Sequence, residues 1–298
     1  MVEKGFKFNF AKTISEFERA IQRFQIKRVV YKSLFRGKGL EFESYRTFAV
    51  DDDASMIDWK ASLRANRLLA KQYVEERDLN FYFIIDVSNS MLFGSFDKLK
   101  AEYSAEVAAS LAHLILNSGD KVGLIMFADN VVKVLHPQKS QNQFYIFRKF
   151  ISDYNNYGGK YDFKSVLDYV LKTVKEKSVF FIISDFIKVR KECERALKLI
   201  GNKFETVSIM IRDPMDETLP KSNYQLVVQD PYSNKQMVVD PAIAAKQYEE
   251  YSLKRKQIVK EMFKTSNIDL LELHTNESFI TPLVIFLKSR AKGGLIVK

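Results

Sequence analysis

Two short apolar runs, each followed at once by oxygen-bearing side chains, constrain the fold of this chain most. The run 81–85 is Phe-Tyr-Phe-Ile-Ile and leads into 86–90, Asp-Val-Ser-Asn-Ser. The run 179–183 is Val-Phe-Phe-Ile-Ile and leads into Ser184 and Asp185. A continuous apolar run bounded by a polar turn is typical of a strand buried on both faces of a parallel sheet. The sequence therefore predicts a parallel sheet whose carboxyl edge gathers carboxylates and hydroxyls.

The oxygens expected at this edge suit a hard divalent cation. Asp86, Ser88 and Ser90 lie at alternate positions after the first run, and Asp185 follows the second. Carboxylate and hydroxyl oxygens favour Mg²⁺ or Mn²⁺ over softer metals. Two carboxylates held close together would repel each other without a cation between them. We therefore predict a metal site formed by these four residues.

After residue 78, strand and helix patterns alternate along the chain. Strands are predicted at 80–86, 122–127, 179–184, 206–211 and 268–273, with helices between them. Such an alternation requires right-handed crossovers and helices on both faces of the sheet. We expect a Rossmann-like α/β domain over residues 79–298, with a doubly wound, mainly parallel sheet.

Two segments do not follow this alternation. Residues 1–78 contain a capping box at Thr13 and an amphipathic helix from 14 to about 35, followed by short strands over 41–76. Residues 213–240 hold two apolar strands around a polar turn, which predicts a hairpin insertion. We expect residues 1–78 to form an N-terminal extension of helix and β-strands. The hairpin is expected to pair with the strands of 41–76 in a small second sheet.

The only tryptophan, Trp59, lies in this extension. A lone tryptophan is usually a core residue, because its large ring contributes most when it is buried. Its neighbours Asp58 and Arg64 are predicted to form a buried ion pair that ties the extension to the sheet.

Composition excludes several classes of protein. Hydrophobic residues make up 46% of the chain, which is typical of a globular protein. The single cysteine, Cys193, excludes an internal disulfide. The sequence has no apolar run long enough to span a membrane, and residues 1–10 lack the apolar core of a signal peptide. These features predict a cytoplasmic protein.

Catalytic motifs are missing from the sequence. It contains no Gly-x-Ser-x-Gly elbow and no glycine-rich nucleotide loop, and its three histidines lack the spacing of a zinc site. Asp86 could accept a phosphoryl group, but no second acidic residue follows two positions on. We therefore predict a binding protein and not an enzyme.

The order of these motifs resembles the von Willebrand factor A-type (VWA) domain. The matching residues are Asp86, Ser88 and Ser90, followed by Ser184 and Asp185. Segments outside the sheet resemble one VWA branch, which is known as domain of unknown function fifty-eight. Those segments are 41–46, 52–53, 57–64, 119–124, 213–214 with 219–220, and 269–273 with 282–283.

The resemblance implies both a site and a partner. It implies a metal-ion-dependent adhesion site in which Asp86, Ser88, Ser90 and Asp185 hold Mg²⁺ or Mn²⁺. An acidic side chain of a partner protein would complete the coordination. It also implies that the partner is a MoxR-type AAA+ ATPase, or the client of that ATPase. The function would then be the assembly or maturation of a protein complex.

One loop departs from the family's pattern. Relatives carry Gly-Thr-Asp before the next helix, whereas this chain has Lys160, Tyr161 and Asp162. Tyr161 therefore stands at the position of the threonine ligand, and Tyr161 or Asp162 is a further candidate ligand. Lys160 could instead place its ammonium where the cation would be. A degenerate VWA scaffold that binds its partner without metal is thus an alternative.

The basic charge leaves a second alternative, which is nucleic-acid binding. The net charge is +10, and no acidic residue occurs between Ala20 and Leu40. The basic residues there are Arg23, Lys27, Arg28, Lys32, Arg36 and Lys38. Basic residues of this kind can contact phosphates, but an amphipathic helix with a solvated basic face explains them better. Nucleic acid is therefore not the expected partner.

Overall fold

The computed structural model describes residues 5–23, 40–49, 54–75, 79–174, 178–222, 224–233 and 235–291. The predicted helix from 14 to 35 corresponds to a helix that begins at Phe10 and is described to Arg23. Most of the basic segment, from 24 to 38, lies outside the described residues.

The described helices and strands follow the predicted alternation. The helices are α1 (Phe10–Arg23), α2 (Trp59–Ala65), α3 (Lys100–Asn117), α4 (Gln141–Ser152), α5 (Phe163–Thr173), α6 (Glu194–Lys203), α7 (Pro241–Thr265) and α8 (Ile280–Ala291). The strands are β1 (Leu40–Thr47), β2 (Leu69–Glu75), β3 (Asn80–Asp86), β4 (Lys121–Phe127), β5 (Val131–Gln138), β6 (Ser178–Ser184), β7 (Glu205–Arg212), β8 (Leu226–Gln229), β9 (Gln236–Val239) and β10 (Asp269–His274).

The central sheet has six strands in the order β10-β7-β6-β3-β4-β5. Five of them are parallel, and only β5 runs antiparallel, at the edge beside β4. The chain moves from β3 to β4 on one side and later returns to β6 on the other side. The strand order therefore reverses between β3 and β6, and such a switch point opens a crevice at the carboxyl edge. The predicted doubly wound, mainly parallel α/β fold is confirmed.

Helices cover both faces of the sheet. On one face, α1, α3, α4 and α8 share a core cluster with side chains of the strands. On the other face, α5, α6 and α7 form a second cluster. The stacked rings of Phe83 and Phe181, 5.1 Å apart, join β3 to β6 within the first cluster. Since Phe17 and Ile21 of α1 are fully buried in that cluster, the start of the predicted extension is part of the main core.

The prediction of a shared second sheet is wrong. Among the described strands, β1 pairs only with β2 and β8 pairs only with β9, in two separate antiparallel sheets. The tip of the β8–β9 hairpin instead reaches the carboxyl edge of the central sheet, where Asn89 donates a hydrogen bond to the carbonyl of Pro231.

The expectations for Trp59, Asp58 and Arg64 are also wrong. The Trp59 side chain is 64% exposed. Asp58 is the N-cap of α2, and it accepts hydrogen bonds from the backbone of Lys60 and Ala61. The bond from the Ala61 amide, and after it a bond from the Tyr45 hydroxyl, lower the pKa of Asp58. Because the carboxylate caps its own helix and pairs with Lys71 at 3.4 Å, it is not available to Arg64.

Gly201 marks the tightest contact between α6 and the chain before β10. A Cβ at this position would lie 1.9 Å from the carbonyl oxygen of Ser266 and 2.9 Å from Ile268 Cγ1. We expect Gly201→Ala to lower the free energy of unfolding by about 2–3 kcal/mol, because a backbone carbonyl cannot move aside as a side chain can. Urea unfolding measures the change.

Gly5 provides the matched control for this substitution. A Cβ there would meet no atom within 4 Å, so Gly5→Ala should change stability by less than about 0.5 kcal/mol. A Gly201→Ala variant as stable as the wild type would contradict the close packing of α6.

Candidate functional site

The predicted ligands converge at the switch point of the sheet. Asp86 ends β3, Asp185 follows β6, and these two strands are neighbours with Ile85 opposite Ile183. Ser88 and Ser90 lie in the short turn after β3. All four residues are almost completely buried.

Backbone hydrogen bonds hold the turn after β3 between two loops. The amide of Val87 donates to the carbonyl of Phe127, at the end of β4, over 2.8 Å. The carbonyl of Val87 accepts from Gly158 over 2.7 Å, and the amide of Asn89 donates to Gly159 over 3.1 Å. The loop that carries Tyr161 is therefore fixed against the segment that carries Ser88.

The Asp86 carboxylate is held by neutral donors. The Ser88 amide donates to one oxygen over 2.9 Å, and the Ser184 hydroxyl donates to the other over 2.6 Å. The hydroxyls of Ser88 and Ser90 lie 3.3 Å apart beside it. Burial, and after it the charge of the nearby Asp185 carboxylate, raise the pKa of Asp86 to about 7. No cationic side chain of the described residues pairs with the buried carboxyl group of Asp86, which therefore favours either a proton or a positive ion.

Asp185, in contrast, is already paired with a cation. The Lys100 ammonium lies 2.8 Å from Asp185 and 2.9 Å from Asp216; the side chains of Lys100 and Asp185 are buried, and that of Asp216 is 9% exposed. Burial alone would lower the pKa of Lys100, but the two carboxylates outweigh it, so the pKa is raised. Burial alone would likewise raise the pKa of Asp185, but Lys100 lowers it. The site therefore has a compensated side, where Lys100 balances Asp185 and Asp216, and an uncompensated side, where no described cation pairs with Asp86.

Sequence reasoning assigned the internal ammonium to the wrong lysine. Lys160 is exposed, whereas Lys100, in the first turn of α3, is the lysine that enters the site. The structure shows that Lys100 opens a helix in which residues 100–112 are all buried. A lysine within such a helix needs a carboxylate partner.

The two further candidate ligands, Tyr161 and Asp162, have different positions. The hydroxyl of Tyr161 is buried and has no hydrogen-bond partner among the described residues. Burial raises its pKa, and the charge of Asp86 adds to this effect. Asp162 is exposed and caps α5 by accepting from the amide of Ser165 over 3.2 Å. Of the two, only Tyr161 brings an unsatisfied oxygen to the region of Asp86.

The hairpin contributes a residue that sequence reasoning missed. The hydroxyl of Tyr232, at the tip between β8 and β9, lies 3.3 Å from the hydroxyl of Ser88. The Lys188 ammonium lies 3.5 Å from the centre of the Tyr232 ring. Since Ser88 and Tyr232 are 144 residues apart in sequence, no local pattern could have joined them.

The residues on the uncompensated side suit a hard divalent cation. They offer the carboxylate of Asp86, the hydroxyls of Ser88 and Ser90, and the unsatisfied hydroxyl of Tyr161. Oxygen donors of this kind are those that Mg²⁺ and Mn²⁺ prefer. Asp185 shares its charge with Lys100, so it suits contact through water better than direct ligation.

A second carboxylate cluster lies elsewhere, at Glu217, Glu272 and His274. Their ligand atoms lie within 4.8 Å of one another. Lys256 already pairs with Glu217 at 2.6 Å and with Glu272 at 2.9 Å. The imidazole of His274, 3.6 Å from Glu217, and then the ammonium of Lys256 lower the pKa of Glu217 to about 2. These charges balance without a metal ion, so we describe the cluster as a network of ion pairs.

Among the described helices, none combines the length and the apolar character that crossing a membrane requires.

Comparisons with known proteins place this geometry in context. Residues 44–257 match the family described as "Protein of unknown function DUF58". The uncharacterized protein Rv1480 of Mycobacterium tuberculosis is 24% identical over 267 residues, which cover 88% of this chain and 83% of that protein.

Several solved structures also resemble this chain. BatB from Bacteroides thetaiotaomicron has 15% sequence identity and a TM-score of 0.48, covering 72% of this chain and all (100%) of that one. A von Willebrand factor type A protein from Catenulispora acidiphila has 13% identity and a TM-score of 0.39, covering 75% of this chain and 44% of that one. The predicted resemblance to the branch known as domain of unknown function fifty-eight is confirmed.

Proposed function

The chain belongs to the DUF58 family, and on that basis we propose that it is a non-enzymatic protein-binding protein with a metal-dependent site. Asp86, Ser88 and Ser90 would hold Mg²⁺ or Mn²⁺, with Tyr161 beside them and Asp185 in contact through water. A bound cation would supply a positive charge with an open position for an acidic side chain of the partner. The uncompensated carboxyl group of Asp86 is the observation that carries this proposal.

Each residue of the site has a separate part in this proposal. Asp86 supplies the negative charge that favours a cation, and Ser184 orients it by a hydrogen bond of 2.6 Å. Ser88 and Ser90 supply hydroxyl oxygens, which are neutral ligands for the cation. Lys100 keeps Asp185 ionised and fixed in place. A partner carboxylate therefore meets a site whose side chains are already oriented by their neighbours.

The partner that we propose is a MoxR-type AAA+ ATPase or its client, in the cytoplasm. This part rests on the family resemblance and predicts a complex that depends on the cation. Purified protein and the ATPase of the same organism should associate in Mg²⁺ and separate in EDTA. Association in Mg²⁺ that Asp86→Ala leaves intact would contradict a metal-gated contact.

We expect a divalent cation to raise the melting temperature of the wild-type protein and not that of Asp86→Ala. A cation that binds only the folded state stabilises it by about 2.7 kcal/mol at a hundredfold excess over Kd. Melting curves in EDTA, Mg²⁺ and Mn²⁺ measure the response. Asp168→Ala is the matched control, because Asp168 is an exposed carboxylate paired with Lys164 on α5.

A metal-free scaffold is the second candidate function, and the buried Lys100 favours it. The ammonium already balances part of the negative charge at the carboxyl edge. This candidate predicts that no cation changes the melting temperature and that partner binding is insensitive to EDTA. A direct titration with Mn²⁺ separates weak cation binding from none.

A further inference from the structure

The β8–β9 hairpin is a poorly supported element. Its strands have four residues each and pair only with each other among the described strands. Several of their apolar side chains face solvent, with Val227 and Met237 both 65% exposed. A two-stranded hairpin is marginally stable by itself in water. Contacts with the rest of the molecule must therefore help to hold it.

The tip of the hairpin provides such contacts at the candidate site. Tyr232 meets the hydroxyl of Ser88 at 3.3 Å, and the side chain of Asn89 donates to the carbonyl of Pro231 over 2.9 Å. The ammonium of Lys188 lies on the Tyr232 ring, 3.5 Å from its centre. Ser88 and Asn89 belong to the turn after β3, and Lys188 follows Asp185 by three residues.

Hydrogen bonds within the tip hold Tyr232 in its position. The Asp230 carboxylate accepts from the amide of Tyr232 over 3.0 Å and from the hydroxyl of Ser233 over 2.7 Å. The amide of Asp230 donates to the carbonyl of Lys235 over 2.9 Å, which closes the turn. Hydrogen bonds within the tip thus fix where Tyr232 lies on the tip. Contact between the tip and the site then places the Tyr232 hydroxyl beside that of Ser88.

We propose that Tyr232 is a specificity-determining residue of the site, because it takes the position that a partner's carboxylate must enter. The inference rests on the proposed function. The phenol hydroxyl lies against the hydroxyl face of the site, so a carboxylate that approaches Ser88 has to replace it. Displacement of the ring also releases the Lys188 ammonium from its contact with the ring, and the ammonium then pairs with the incoming carboxylate. The site therefore selects an acidic partner that can move the hairpin tip.

The first test is hydrogen exchange of residues 226–239 in EDTA, which needs no cation. Tyr232→Ala and Lys188→Ala are expected to speed the exchange of hairpin amides several-fold, because both remove the contact of the ammonium with the ring. Tyr224→Ala is the matched control, since Tyr224 precedes the same hairpin and is 82% exposed. Unchanged exchange in Tyr232→Ala would overturn the inference.

The second test is calorimetric titration of N-acetylglutamate amide into protein saturated with Mn²⁺. Tyr232→Ala should bind this carboxylate about tenfold more tightly than the wild type, which corresponds to about 1.4 kcal/mol. Tyr232→Phe keeps the ring on Lys188 and loses only the hydroxyl, so its gain should be smaller. Equal or weaker binding by Tyr232→Ala would overturn the inference, because removal of a side chain that competes with the carboxylate must strengthen carboxylate binding.

The two tests separate this inference from the proposed function. Absence of Mn²⁺ binding in the wild type and in every variant would overturn the proposed function. The proposed competition between Tyr232 and a partner's carboxylate would fall with it. Mn²⁺ binding without a gain in Tyr232→Ala would overturn the role of Tyr232 alone.

Discussion

Replacement of Lys100 with methionine is expected to lower the free energy of unfolding by about 3–5 kcal/mol, because it leaves two buried carboxylates without their cation. The Lys100 ammonium pairs with Asp185 at 2.8 Å and with Asp216 at 2.9 Å. Methionine keeps most of the side-chain volume, so the substitution tests the charge more than the packing. Urea unfolding at pH 7 in EDTA measures the loss.

An exposed lysine provides the control for this substitution. Lys164 pairs with Asp168 on the surface of α5, and a surface pair of this kind contributes about 0–1 kcal/mol. Lys164→Met should therefore change little. Mg²⁺ or Mn²⁺ should also stabilise Lys100→Met more than the wild type, because the variant has three uncompensated carboxylates, Asp86, Asp185 and Asp216, in place of one. A loss below about 1 kcal/mol would show that Lys100 does not compensate these charges.

In EDTA, Asp86→Asn is expected to be more stable than the wild type at pH 8 and equal to it near pH 4. Burial raises the pKa of Asp86 from its ordinary value of 3.8 to about 7. Between these two values the folded state binds more protons than the unfolded state, so the stability of the wild type falls as pH rises. The difference between the two pKa values corresponds to a decrease in the free energy of unfolding on the order of 4 kcal/mol by pH 8.

The asparagine variant escapes this loss because its side chain carries no charge. The hydroxyl of Ser184, which donates to Asp86 over 2.6 Å, can accept from the new amide. Urea unfolding at several pH values measures the difference, and Asp168→Asn serves as an exposed control. A difference that stays constant from pH 4 to pH 8 would contradict the raised pKa. Mg²⁺ should stabilise the wild type and leave Asp86→Asn unchanged.

The central sheet was readable from the sequence because its strands are apolar on both faces. The runs 81–85 and 179–183 became β3 and β6, so Asp86 and Asp185 were correctly placed at the carboxyl edge. The edge strand β5 was missed, since it is half exposed and contains Pro137. Trp59 was misplaced, because composition alone does not reveal that α2 turns this ring to solvent.

The sequence by itself determined the buried parallel strands, their alternation with helices and the oxygen donors at their ends, because burial on both faces leaves a local apolar pattern. Only the tertiary structure decided which charges are compensated. Lys100 reaches Asp185 across 85 residues of sequence, and Tyr232 reaches Ser88 across 144. Asp162, close to the site in sequence, caps a helix instead. Compensation of a buried charge depends on distance in space, and no pattern along the chain carries that distance.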